Sequence, residues 1–225
     1  MSVIFISGTG TDVGKTVATA ALVAHLHSAG REVLPVKPVQ TGEPEGSGDI
    51  FTIEELTGVR GVEFHRYPEP LAPNLAARRA GLPQPRRGEL GDRIRELDRP
   101  GRTVLVEGAG GLLVRIADDF TLADLIVDLG APLILVTGTG LASLNDAALS
   151  VAVARHRGIG LLGLIGGRHP ADPGLAARLN LSELEQVTGI PLLGVLREGI
   201  AQLPRPEFSG EASRLRLPGE LVPTG

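Results

Sequence analysis

A chain of 225 residues with 42% apolar content and a formal charge of −4 has enough material for one well-filled core, and a single domain over 1–225 is expected. It contains no cysteine, which excludes disulfides, thiolate metal centres and cysteine nucleophiles. The mildly acidic balance without a basic block argues against nucleic acid as a partner, and no apolar run reaches membrane-spanning length, so a cytoplasmic protein without a membrane partner is expected.

In chain order, Val3-Ile-Phe-Ile-Ser7 is an apolar run of strand length. It feeds Gly8-Thr-Gly-Thr-Asp-Val-Gly-Lys-Thr16, in which Lys15 and Thr16 open a helix predicted to end near Ala29. Gly-Lys-Thr at a helix start after a buried strand is the layout of a P-loop. Backbone N–H groups and the positive helix end receive phosphate oxygens, the lysine reaches the β- and γ-phosphates, and the threonine hydroxyl goes to Mg²⁺. The spacing departs from the usual pattern, because the first glycine would fall on Thr9 whereas the glycines are Gly8 and Gly10. The loop is therefore expected to be one residue longer or differently folded; a tight turn that binds nothing is the alternative. Of the 22 basic residues only Lys15 and Lys37 are lysines. In a chain that otherwise uses arginine for positive charge, these two positions point to a need for a compact ammonium.

Val33–Lys37 reads as a short parallel strand in which Pro35 marks an edge or irregular position. Pro38-Val-Gln-Thr-Gly42 follows at its carboxyl end, where open α/β sheets bind ligands. After a polar loop over 43–48, Asp49 begins a helix through Leu56, either as its N-cap or as a metal ligand. Tyr67–Pro85 combines several prolines with a helix-compatible Leu75–Arg79, the pattern of a structured loop or lid. Glu89–Leu97 is an amphipathic helix closed by Pro100-Gly101. Thr103–Glu107 is a buried strand ending in a carboxylate and followed by Gly108-Ala-Gly-Gly111. A strand-end Glu in that setting is costly unless paired or ion-bound, and corresponds to the second acidic position of P-loop NTPases.

Leu122–Leu129, Ser143–His156 and Leu175–Thr188 read as helices, alternating with strands at Pro132–Val136, Leu161–Ile165 and Leu192–Leu196. The alternation predicts a single α/β domain of the P-loop NTPase kind, with a mostly parallel sheet and helices on both faces. His65, His156 and His169 have no partner at metal-ligand spacing, so no zinc is expected. From Leu203 onward, Pro204, Pro206, Pro218 and Pro223 predict an irregular tail packed on the surface.

These residues together resemble the dethiobiotin synthetase family. The resemblance rests on Gly8–Thr16, Lys37-Pro-Val-Gln-Thr-Gly42, Asp49, the Ala72-Pro73 loop and Val106-Glu-Gly-Ala-Gly-Gly-Leu-Leu113, about the first half of the chain. The irregular loop spacing is that family's own variant. The second half matches in its α/β order and in Ser143-Leu-Asn145. The resemblance implies a homodimer that uses ATP and Mg²⁺ to carboxylate and close 7,8-diaminopelargonate with CO₂, through a carbamate and its phosphorylated anhydride. On it, Lys15 holds the β/γ-phosphates, Lys37 stabilises charge on the carbamate and the transferring phosphoryl, and Thr16, Asp49 and Glu107 hold Mg²⁺. The nucleotide would be held by Asp12, Val13, Gly14 and Val17 of the loop and by Gly108, Ala109 and Gly110. The diamine or its carbamate would meet Thr11, Thr41, Ala72 and Pro73. Its tail would reach the partner subunit, where the carboxylate suits a helix N-terminus at Leu144 and Asn145; simple capping by Ser143 is the alternative there.

One departure concerns the base. Many family members carry an Asn after the strand that is Leu161–Ile165 here, and it reads the purine edge; this chain has Gly166-Gly167-Arg168-His169-Pro170. Backbone of Gly167 and Arg168, with Arg197, Glu198 and Gly199, would have to hold the base, so other nucleoside triphosphates are expected to serve beside ATP. Rival readings are weaker. A partitioning-type ATPase usually has an additional early lysine, absent at Thr9 and Gly10, and an amidotransferase would need a cysteine glutaminase. A non-catalytic nucleotide module leaves Lys37 without a role.

Overall fold

A computed structural model of the chain describes residues 2–219. At its centre is β1 (Val3–Gly8), buried along its whole length. Val3 and Phe5 enter the core on one face and Ile4 and Ile6 the core on the other, the two-residue alternation of a strand covered on both sides. The neighbouring strands are β2 (Glu32–Thr41), β3 (Val62–Tyr67), β4 (Arg102–Gly111), β7 (Leu133–Thr137), β8 (Leu161–His169) and β9 (Leu192–Arg197). They form one sheet of order β3-β2-β4-β1-β7-β8-β9, parallel throughout. A separate two-stranded hairpin joins β5 (Arg115–Ala117) and β6 (Phe120–Thr121).

From β1 the chain passes to one edge through β2 and β3, returns at β4, then runs out through β7, β8 and β9 to the other edge. The reversal falls at β1 and β4, and the crevice at the carboxyl ends of such strands is where an open α/β sheet receives ligands.

Helices α1 (Lys15–Ser28), α2 (Asp49–Thr57) and α8 (Arg205–Ala212) bury against one face of the sheet. Helices α3 (Pro73–Ala80), α4 (Arg87–Leu97), α5 (Leu122–Leu129), α6 (Ser143–His156) and α7 (Leu175–Thr188) cover the other. α1 is apolar on nearly every side because the sheet, α2 and α8 enclose it. This is the doubly wound α/β architecture that the strand–helix alternation predicts. No helix among the described residues is long and apolar enough to cross a membrane.

Three elements differ from the sequence reading. β2 runs for 10 residues and is an interior strand, not a short one with an edge proline. Pro35 is tolerated because β3 joins β2 only from Val36 onward, so at Pro35 one side of the strand has no ladder to interrupt. β3 was not anticipated; its Val-Glu-Phe-His alternation is a half-buried edge strand. The segment after Leu203 is not an irregular surface tail. Pro204 precedes α8 and Pro206 sits in its first turn, where a missing N–H costs nothing, and Phe208 and Ala212 are buried in the α1 core. Pro223 lies outside the described residues.

Candidate active site

α1 begins without a side-chain cap. Its N-cap is Gly14 at φ 93°, a left-handed conformation that few residues other than glycine adopt, preceded by Asp12 at φ 57°. The first-turn amides of α1 are thus left free of side-chain partners at the mouth of the crevice. The loop folds back tightly enough that Lys15 Nζ donates to the carbonyl oxygen of Gly10 at 2.9 Å. A Cβ at Gly8 would come within 2.7 Å of that same oxygen, so the first glycine is required by a close approach of backbone. The longer spacing is accommodated by this curl.

Four charged side chains converge beneath the loop. Lys37, from the middle of β2, is 3% exposed, and its Nζ donates to Glu107 Oε1 at 3.0 Å and to the carbonyl oxygen of Gly108 at 3.2 Å, and pairs with Asp49. Thr16 Oγ1 donates to Asp49 Oδ1 at 2.7 Å and lies 3.1 Å from Glu107 Oε1. Burial alone would depress the Lys37 ammonium, but Glu107 and Asp49 outweigh it and hold its pKa above the ordinary lysine value. Lys15 goes the other way, lowered by burial and by the neighbouring Lys37 charge. Burial pushes the Glu107 carboxyl up, with Lys37 opposing. Asp49 is held below the usual range because the Lys37 ammonium and the Thr16 hydroxyl outweigh the burial that would raise it.

Glu107 Oε2 is buried with no hydrogen-bond partner, an orphan that is expensive in a finished core. Together with Thr16 Oγ1 and the Asp49 carboxylate it makes an all-oxygen donor set, the chemistry that hard divalent cations take. Among the described residues no three His, Cys, Asp or Glu side chains gather at metal-ligand spacing. Two carboxylates and a hydroxyl are donors that fit Mg²⁺, which typically takes one or two carboxylates and completes its shell with water and substrate phosphates.

The cleft above these groups has a volume of about 580 Å³. Of the residues expected to bind nucleotide, metal or substrate, Thr11, Asp12, Gly14, Lys15, Thr16, Val17, Lys37, Thr41, Asp49, Glu107, Ala109, Gly110, Arg168, Arg197, Glu198 and Gly199 line it. Gly108 contributes its carbonyl to Lys37 from behind. Val13 and Gly167 meet each other beneath the loop, where a Cβ at 167 would collide with the Val13 carbonyl oxygen. Ala72, Pro73, Leu144 and Asn145 do not border this cleft. Asp49 is the first residue of α2 and not its cap, since the N-cap is Gly48. Ser143 does not cap α6 either; its hydroxyl donates to the Gly140 carbonyl at 2.7 Å. Residues not anticipated as cleft lining are Val39, Gln40, Leu196 and Ile200–Gln202.

A second hollow of about 400 Å³ adjoins the loop on its other side, walled by Leu112, Leu113, Leu149 and Val153. Thr11 borders both spaces. Leu113 and Leu149 stand at least half exposed at this face.

Comparison with known proteins accounts for this arrangement. An AAA domain family model matches residues 2–202. A protein of Corynebacterium efficiens described as ATP-dependent dethiobiotin synthetase BioD is 62% identical over 219 residues, 97% of this chain and 100% of that protein. A second, from Corynebacterium diphtheriae and with the same description, is 56% identical over 97% of this chain and 98% of its own length. The chain belongs to the ATP-dependent dethiobiotin synthetase family. Among solved structures, the cell division ATPase MinD of Pyrococcus furiosus superposes with a TM-score of 0.59 at 19% identity, covering 95% of this chain and 98% of its own. That likeness concerns the sheet and its helices, the P-loop NTPase fold.

The far end of the cleft holds the segment from Gly166 to Pro170 that is expected to meet the base. Arg168, at φ 49°, follows the glycine that packs on the loop, and its guanidinium lies 3.2 Å from Glu198 and 3.4 Å from the Asp12 carbonyl oxygen. This half-exposed ion pair stands at the end of the cleft expected to take the base, beside Ile200–Gln202, and position 167 is a glycine with no amide side chain.

Proposed function

We propose that the chain catalyses ATP-dependent closure of 7,8-diaminopelargonate and CO₂ to dethiobiotin, ADP and phosphate, in biotin biosynthesis. The observation that carries this reading is the convergence of two buried lysines with Thr16, Asp49 and Glu107 at one end of a cleft whose floor is a P-loop. One amine takes up CO₂ as a carbamate, and a carbamate oxygen attacks the γ-phosphorus of ATP. The bond to the β–γ bridging oxygen breaks and ADP leaves. The second amine then attacks the carbonyl carbon of the anhydride, and phosphate departs as the cyclic urea forms.

Phosphoryl transfer of this kind requires positioning and charge neutralisation more than covalent help from the protein. The free first-turn amides of α1 and Lys15 would hold the β- and γ-phosphates. Lys37, which stays protonated because two carboxylates face it, would neutralise the carbamate and the phosphoryl in flight. Mg²⁺, held by Thr16, Asp49 and Glu107, would supply charge neutralisation on the phosphate oxygens. Thr11 and Thr41 border the cleft from two sides and suit the diamine. The base would rest on Gly167, Arg168 and Arg197–Gly199 without an amide side chain at position 167, which supports use of other triphosphates beside ATP.

The same reading assigns a cytoplasmic homodimer. Leu113 and Leu149 offer an apolar face beside Thr11, and the uncapped start of α6 at Leu144 and Asn145 suits the tail carboxylate of a substrate bound in the partner. Ala72 and Pro73, at the start of α3, would border the substrate there. Analytical ultracentrifugation showing only monomer at assay concentrations would remove this part.

The deciding assay is phosphate release from ATP with and without the diamine and bicarbonate. Release that depends on the diamine is expected; hydrolysis indifferent to it would overturn the assignment in favour of a switch ATPase.

A further inference from the structure

Gln40 is a buried amide in the cleft wall, 5% exposed, on β2 between Val39 and Thr41. Its Oε1 accepts the backbone N–H of Asp49 at 2.9 Å, and its Nε2 donates to the Thr41 carbonyl oxygen at 3.2 Å. The Asp49 N–H is one of the first-turn donors of α2 that have no partner inside the helix. A residue at the N-cap ordinarily satisfies a first-turn donor, at the second or third helical residue, with its own side chain, but the N-cap here is Gly48, at φ 104°, and the first N–H is taken by Gln40 instead. A Cβ at Gly48 would come 2.8 Å from Gln40 Oε1. Gly48 and Gln40 are therefore one device: the missing side chain makes room for an amide that caps the helix from the neighbouring strand.

The segment between these two ends is a weak tether. Residues 43–46 are exposed, and Gly42, Gly46 and Gly48 all take positive φ. Arg66 holds its outer part through the carbonyls of Glu43, Pro44 and Ser47, but makes no contact with Asp49. Beside the Lys37–Asp49 ion pair, which is the contact to be positioned, the Gln40 amide joins the end of β2 to the backbone of the first residue of α2.

We infer that Gln40 is a positioning residue for the metal end of the site, fixing the start of α2 against β2 so that the Asp49 carboxylate stays in reach of Thr16 and Lys37. The inference rests on the reading of Asp49 as a Mg²⁺ ligand. The 2.7 Å bond from Thr16 to Asp49 has no slack, and an unrestrained shift of α2 by about an ångström would break it.

The test is nucleotide binding by isothermal titration calorimetry across a Mg²⁺ series, for the wild type, Gln40→Met and Gln40→Glu. In Gln40→Met the Mg²⁺ concentration needed to tighten ATP is expected to rise about tenfold or more, while affinity without Mg²⁺ is unchanged. Gln40→Glu still offers an oxygen to the Asp49 N–H and is expected to recover most of the loss. A Gln40→Met protein with wild-type Mg²⁺ dependence overturns the inference. Wild-type binding that ignores Mg²⁺ overturns the metal reading, and the inference with it. Should Gln40→Met not fold, hydrogen exchange of the wild-type Asp49 amide decides. Protection far above that of residues 43–46 supports the cap, and exchange at their rate refutes it.

Discussion

Replacing Lys37 with Met removes one ammonium and leaves the stem, which isolates the electrostatic part of the site. Lys37 is 3% exposed and Glu107 is 1% exposed, so water cannot take the place of the lost charge, and Glu107 Oε2 already lacks a partner. Removing one member of a buried ion pair typically costs about 3–5 kcal/mol. The loss should depend on pH in a definite sense. Burial pushes the Glu107 carboxyl up and Lys37 opposes it, so in the variant this acid rises further. A carboxyl whose folded pKa lies above its unfolded value contributes stability below the unfolded value, near pH 4, and loses it as pH rises toward the folded one. Across that window the variant should lose up to about 1.4 kcal/mol per pH unit. Asp49 adds a separate part, because Lys37 holds it low in the wild type: that stability is present in full above the unfolded carboxyl range and lost only in acid. Wild type and variant lose the Glu107 contribution together until the wild-type Glu107 is ionised, and the variant goes on losing it beyond that point. Urea unfolding followed by circular dichroism through and above neutral pH should therefore show the gap widening once the wild-type carboxyl has titrated. The double variant with Glu107→Gln should recover part of the loss, because the stranded charge is gone. A deficit under about 1 kcal/mol, or one equal at every pH, would refute the reasoning.

Lys37→Arg keeps the charge but replaces a compact ammonium by a fork that does not fit between Glu107, Asp49 and the Gly108 carbonyl; turnover should fall by orders of magnitude while calorimetric nucleotide affinity changes little. Phe208→Ala should lower unfolding free energy by about 3–5 kcal/mol in denaturant titration, since the ring is fully buried against α1, whereas a surface tail would leave it unchanged. Turnover with ATP, CTP and GTP at matched saturation should agree within about a hundredfold, because a site that reads a base with a dedicated amide reaches about 10⁴ and position 167 has none.

How far the site was legible in the sequence follows from where each signal lives. Gly14, Lys15 and Thr16 are local: a glycine turn, a helix start and a buried strand stand within fourteen residues, and the physics of a helix terminus fixes their use. Lys37 was visible against the chain's arginine habit and in the Lys37–Gly42 motif of the family resemblance, but its pairing could not be read because its partners come from β4 and α2. Asp49 fits a cap or a ligand equally well until α2 is seen to start at Asp49 itself with Gly48 as its cap. Gln40 gave no signal, since a glutamine between Val39 and Thr41 acquires meaning only when the start of α2 is brought beside it. The length of β2 and the helix after Leu203 were hidden by prolines, whose local preference is overridden where a strand has one neighbour missing or a helix is in its first turn.

The sheet itself carries little of the functional argument. MinD of Pyrococcus furiosus, a cell division ATPase, shares it at 19% identity, and one scaffold can host unrelated functions. The function is carried by what the scaffold presents beside the loop. This chain has Thr9 and Gly10 at the early loop positions and brings its second ammonium from β2, against Glu107 on the adjacent β4. On the proposed reading, that choice of strand would place the lysine on the side of the triphosphate where an acceptor has to sit. A lysine on the loop would instead stay with the nucleotide. The location of Lys37 on the sheet is thus the feature that suits transfer of phosphate to a second molecule, and it is the feature the Lys37 variants put to the test.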